Sequence, residues 1–163
     1  VPASHHGEKP LARLTDSVDS ERQYLESLEC NAIDNPAFNP PQPLTDCKVA
    51  LISSAGLMRR GDANVPANAA DYRSFGNAII DAELMINHVS VNFDRSAFAE
   101  DVNTVFPREL LQSLDDDGTI AGASDEHYSF MGATAPERLQ PHAEQLAAHL
   151  LARDVNTVCL LPV

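Results

Sequence analysis

Polar side chains that could act together recur in one stretch of the chain, residues 84–107, LMINHVSVNFDRSAFAEDVNTVFP. From His88 the residues alternate, with Val89, Val91 and Phe93 on one side and His88, Ser90, Asn92 and Asp94 on the other, which is the two-residue period of a strand. Arg95 follows, and then Phe98, Val102 and Val105 take up helical spacing. Imidazole, amide, carboxylate and guanidinium on one edge supply a proton carrier and a fork for a carboxylate. A half-exposed strand alternates in the same way because one face meets water, so a site scaffold and a solvated face are both open readings.

The elements that must position this row are read from apolar runs. Residues 48–53, KVALIS, rich in strand formers and closed by SSAG, have the pattern of a buried parallel strand. Residues 155–161 form a second apolar strand, with Cys159 expected in the core. Between 57 and 75 almost no periodicity is seen, and Arg59, Arg60 and Arg73 sit in what reads as a long loop, either functional or simply solvated. Pro107 opens a helix carrying Leu110, Leu111 and Leu114, and Gly118 stops it. A short strand is expected over 119–123, and EHYSFMG (126–132) places His127 and Tyr128 ahead of a glycine turn. Thr134 with Glu137 fits a capping box, while Pro141 predicts that the helix proper starts near Gln140, with Leu146, Ala147, Leu150 and Leu151 as its buried stripe. This order predicts an α/β fold: a three-layer, Rossmann-like domain with a mostly parallel sheet.

Ahead of that domain, assigned to 47–163, residues 1–15 read as a disordered arm broken by Pro2, Gly7 and Pro10, in which His5 and His6 are incidental. Residues 16–46 read as a surface helix over 16–28 followed by a strap held extended by Pro36, Pro40, Pro41 and Pro43. The formal charge of −13 on 163 residues, with its basic residues scattered, argues against nucleic acid and anionic membrane as partners. With no long apolar span and no signal-like N-terminus, a cytoplasmic location is expected. Cys30, Cys47 and Cys159 are far apart, without C-x-x-C, which predicts reduced thiols. The missing initiator Met points to a processed or partial start.

Glycine-loop nucleotide motifs and a G-x-S-x-G elbow are absent from the sequence. His88, Asp94, Asp101 and His127 have the right chemistry for a divalent ion, but their spacing matches no metal signature, and no metal is expected.

VALISSAGLMRRGD, DYR, HVSVNFDRSAF.EDVNTVFP, HYSFMGAT and DVNTVCLLPV, in that order, resemble the selenoprotein B family of glycine, sarcosine, betaine and D-proline reductases, from about Glu21 to the last residue. DYRSFGNAI departs from the family, in which Val-Ile-Pro more commonly follows the arginine. The resemblance implies an α/β oxidoreductase subunit that reductively cleaves a carbon–nitrogen or other carbon–heteroatom bond, with a selenocysteine or cysteine as nucleophile. It also implies that this redox residue comes directly after the strand matched by CLLPV, with a cysteine three residues later. The chain stops at Val163, so the nucleophile and its selenium or sulfur are expected in a longer form, and no other cofactor is implied. Cys159, inside the strand, is not its substitute.

In an open α/β sheet, ligands gather beyond the C-terminal strand ends. Ser53, Ser54, Ser90, Asn92, Asp94, His127 and Tyr128 are therefore the expected lining for a small amino-acid-like or other organic substrate. His88 is the candidate proton donor, and Arg59, Arg73 or Arg95 the carboxylate anchor. A sheet that stops here leaves an edge and apolar surface for a second copy or a partner reductase subunit to cover. The alternative is a non-catalytic binding or assembly module of the same fold.

Overall fold

The computed structural model describes residues 13–28, 40–90 and 95–163. Most of the expected arm, with His5 and His6, lies outside the described residues, as do Cys30, Pro36, Asn92 and Asp94. The chain divides into two units, 1–40 and 41–163. In the first, α1 spans Asp19–Glu26, shorter than the helix expected over 16–28. Ser17 and Val18 interrupt that helix with ψ values of 155° and 149°, which are extended and not helical. Asp19 and Glu21 stand in the first turn of α1, where unpaired N–H groups favour acids.

The second unit is built around β1 (Lys48–Ser53), which is hydrogen-bonded along both edges. On one side β7 (Thr157–Leu161) runs parallel to it, Val49 opposite Thr157 through Ser53 opposite Leu161. On the other side the partner is split: β5 (Gly122–Ala123) pairs with Lys48 and Val49, and β6 (Glu126–Phe130) with Ile52 and Ser53, both parallel. The expected parallel pairing of the strands near Lys48 and Val155 is thus present. The expectation of a mostly parallel, Rossmann-like sheet is corrected: the sheet is mixed, because β3 (Tyr72–Gly76) joins β6 antiparallel. A separate antiparallel ribbon pairs β2 (Leu57–Arg59) with β4 (Leu84–Ile86). Both β2 and β3 fall in the segment read as loop. They are short, and only Phe75 of β3 is fully buried, so neither prints an alternating pattern.

The pleat of β1 sorts the core. Val49 and Leu51 face a cluster with Phe75, Val105, Phe106 and Leu111, the last on α3 (Arg108–Asp116). Ala50 and Ile52 face Tyr128, Phe130, Leu146 and Leu150, the last two on α4 (Pro136–Leu151). Helices therefore cover both faces. Pro107 stands at the N-cap of α3, one residue ahead of the helix it was expected to open, and α2 (Ser96–Glu100) is a short turn before it. Pro141 does not delay α4, which begins at Pro136 and carries Pro141 inside. Thr134 does not cap it: its hydroxyl is buried and donates to the Ala69 carbonyl at 2.6 Å.

Where β5 has ended and β6 has not yet taken up pairing, the N–H of Leu51 would be buried without a partner. His127 supplies one, its Nδ1 accepting from Leu51 N at 3.2 Å while its ring packs edge-on to Phe106. Burial, and then the nearby Arg108 guanidinium, lower its pKa to about 4, so the ring is neutral at pH 7.

Among the described residues β7 is an edge strand. Val158 and Leu160 are 43% and 67% exposed, and Cys159 is exposed, which corrects its assignment to the core. An apolar run reads as buried whether or not a neighbour covers it, and here the covering layer stops at β1 and α4. Between α4 and β7 runs a groove of about 570 Å³ lined by Ile52, Leu139, Ala143, Leu146, Val158 and Leu160 among others.

Two outcomes follow for the folded chain. Because the His127 pKa is depressed from 6.5 to about 4, its contribution is complete above pH 6.5 and is lost as pH falls through 4. Urea unfolding should show a loss of up to ~3 kcal/mol over that window, removed in His127→Gln. In native protein a thiol reagent should modify Cys159 quickly and the buried Cys47 slowly.

Candidate functional site at the strand ends

Three parallel strands end together. Beyond β1, Ser54 continues the ladder by donating its N–H to Leu161 O at 3.1 Å, and its carbonyl accepts from Gly132 N at 2.9 Å, two residues past β6. Its hydroxyl accepts from the N–H of Val163, at 2.9 Å, two residues past β7. Ser53 is fully buried, its Oγ accepting from Ala55 N at 3.2 Å in the turn that leaves the strand.

His88 comes to this corner from the β2–β4 ribbon. The expected strand does not continue through it: β4 stops at Ile86, and after one more in-register bond, from Asn87 N–H to Gly56 O at 3.0 Å, the partner strand turns away. Gly56, at φ +62°, makes that turn, and a Cβ there would stand 3.4 Å from the His88 backbone. The alternation is also inverted, with His88 buried and Val89 40% exposed. At His88 and Val89 the two-residue period therefore does not describe the local structure.

His88 Nδ1 accepts from Ser90 N at 3.2 Å, so in the neutral ring the proton is on Nε2. That nitrogen faces Gly132, where an added Cβ would stand 3.1 Å from it. Burial, with Arg95 second, lowers the His88 pKa below its ordinary 6.5. Arg95 donates to the carbonyls of His88 (2.5 Å) and Ser90 (3.2 Å), an engagement that ties down the loop around the imidazole.

Of the residues singled out in the sequence, Ser53, Ser54, His88, Ser90 and Arg95 are joined in this corner through the contacts above. Asn92 and Asp94 lie outside the described residues. Arg59 is at the exposed end of β2, and Arg73 sits in β3 opposite Ser129. His127 is committed to Leu51 within the sheet. Tyr128 faces the α4 side and donates to Glu126 Oε2 at 3.2 Å, at the start of β6, its pKa raised to about 12 chiefly by burial. Gly56, Gly132 and Ser129, whose Oγ accepts from Leu57 N at 3.0 Å, were not singled out. Gly132 carried a signal, since a glycine just beyond a buried strand can mark close approach of another backbone. Among the described residues no group of three His, Cys, Asp or Glu side chains is placed to hold a metal, and no helix is long and apolar enough to cross a membrane.

Proton NMR should therefore find His88 titrating below 6.5, and Arg95→Gln should move that midpoint upward by removing the neighbouring positive charge. A midpoint at or above 6.5 in the unaltered chain would mean that the imidazole is more solvated than this packing allows.

No solved structure matches the chain. A curated relative, glycine reductase complex component B subunit gamma of Symbiobacterium thermophilum, is 24% identical over 143 residues, which cover 84% of this chain and 33% of the relative. The chain thus spans a third of that protein's length. The family model for glycine/sarcosine/betaine reductase selenoprotein B matches residues 14–162, and the chain belongs to that family.

Proposed function

We propose that this chain is an oxidoreductase component of the glycine/sarcosine/betaine/D-proline reductase type, whose selenocysteine or cysteine nucleophile follows Val163 in a longer form. The observation that carries the reading is the corner itself. The ends of β1, β6 and β7 bring Ser54, Gly132 and Val163 together, with the imidazole of His88 beside them. A residue attached to Val163 would start from this corner, at the strand ends where open α/β sheets bind ligands.

In the chemistry proposed, a selenolate or thiolate attacks the carbon bearing the amine. The carbon–chalcogen bond forms as the carbon–nitrogen bond breaks with its electron pair going to nitrogen, and the leaving amine takes up a proton. A dithiol or partner thiol then accepts the adduct and supplies the reducing electrons. His88 offers an Nε2–H in its neutral form, which suits hydrogen bonding to the substrate or leaving group. Full proton transfer from the imidazolium is favoured on the acid side of neutrality, because its pKa is lowered. Ser90 and Arg95 hold the loop that carries it, and Arg73 or Arg59 is the remaining anchor for a substrate carboxylate. Asn92 and Asp94 complete the set proposed from sequence, whereas His127 and Tyr128 are engaged elsewhere, by Leu51 N–H and by Glu126.

A second reading has its own support. The uncovered β7 edge and the apolar groove beside α4 fit an assembly module that docks onto another chain, and the relative named above is a component of a complex. Both readings expect the 163-residue form to associate with itself or a partner, and only the first expects chemistry from an extended form.

The test compares the 163-residue form with one extended through the next residues of its reading frame, assaying dithiol-dependent cleavage of glycine, sarcosine, betaine and D-proline, with mass by light scattering. The extended form should turn over, the short form should not, and replacing the added selenocysteine or cysteine by serine should abolish activity. Turnover by the short form would overturn the placement of the nucleophile. Absence of any Sec or Cys after Val163 would leave the assembly reading.

A further inference from the structure

Ser54 uses every polar group it has on its neighbours. Its N–H goes to Leu161 O at 3.1 Å, its carbonyl takes Gly132 N at 2.9 Å, and its hydroxyl takes Val163 N at 2.9 Å. The first two bonds extend the sheet and would be available to any residue at this position. The third comes from the side chain, and it reaches beyond the end of β7 to a residue that no strand pairing holds.

Gly132 is required for a different reason. Its φ is not in the left-handed region, so the backbone alone does not demand glycine. A Cβ built there would lie 2.7 Å from Ser54 O, 2.9 Å from Ser54 Cβ and 3.1 Å from His88 Nε2. The first two distances are closer than real Cβ atoms approach, and the atoms concerned belong to the main chain and the side-chain root, which cannot swing aside. A side chain at 132 must therefore displace Ser54, His88 or both.

We infer that Ser54 and Gly132 are positioning residues: the Ser54 hydroxyl fixes the main chain at Val163, and the bare Cα of Gly132 lets His88 Nε2 stand beside Ser54. Together they set the distance between the imidazole and whatever follows Val163. The inference deepens the reading proposed above, in which that following residue is the reacting chalcogen. The contacts themselves do not depend on it.

The clamp is tested first in the 163-residue chain, by hydrogen exchange of the Val163 amide and NMR titration of His88. Ser54→Ala should speed exchange at Val163 by about tenfold, as expected for a lost hydrogen bond, while exchange in the middle of β1 stays unchanged. Ser54→Thr, which keeps the hydroxyl, should restore protection. Gly132→Ala should shift the His88 midpoint. Where that variant does not fold, the serine pair alone decides. Equal exchange at Val163 in the unaltered chain and Ser54→Ala would overturn the clamp, as would an unmoved His88 midpoint in a folded Gly132→Ala.

The link to chemistry is read in the extended form, as the alkylation rate of the residue after Val163 against pH. Ser54→Ala should alter that profile, and Ser54→Thr should return it. If the exchange results hold and no Cys or Sec is found there, the reductase reading fails and the clamp stands. If a Cys or Sec is found and its profile ignores Ser54, the positioning role fails and the reductase reading stands.

Discussion

β1 has no edge that water can reach along most of its length, and that constraint organises the domain. Each of its N–H and C=O groups needs a protein partner, since an unpaired buried one costs about as much as several methylenes gain. β7 satisfies one side in unbroken parallel register. The other side is met by two short pieces, β5 and β6, and the gap between them is closed by an imidazole nitrogen. His127 is thus part of the sheet in all but backbone. The same arrangement explains its neutrality, because a protonated Nδ1 could not accept from Leu51 and a charged ring would be buried against Phe106 with the Arg108 guanidinium nearby.

What could be read from the sequence follows from how each segment is covered. The runs at 48–53 and 155–161 were legible as strands because four consecutive apolar residues in each leave little choice. Their parallel pairing followed from the helix between them. β2, β3 and β4 were not legible: they are held by partners distant in sequence, and Arg73, Ser74 and Gly76 of β3 have no apolar face to show. Pro141 misled in the opposite direction. The helix propensity rule penalises it, but the buried Leu146 and Leu150 anchor α4 from the far end.

In the polar row the expected strand and the observed backbone part at His88. Period-two alternation suggested a strand with His88 facing water. In the fold His88 is buried because two glycines make room for it, Gly56 beneath its backbone and Gly132 against its ring. Nothing in the stretch itself encodes that space, since both glycines come from other strand ends. Arg95 was read as a ligand anchor by its charge, and its guanidinium instead holds two carbonyls of the loop that carries His88. Burial is the main reason the imidazolium is disfavoured, and the cation that holds these carbonyls adds to it in the same direction.

β7 joins the two parts of the molecule that remain open. Its side chains Val158 and Leu160 wall the apolar groove, and its outer edge pairs with no strand among the described residues. Its last residues enter the corner where Ser54 holds Val163. The strand carries neither an edge lysine nor a bulge, and its only proline, Pro162, comes after the ladder has ended, so it lacks the usual guards against pairing. With a chain charge of −13, repulsion between copies opposes indiscriminate association, and that opposition weakens with salt. A cover on β7 would restrain the same five residues that lead to Val163. The edge and the corner are therefore joined through a single strand.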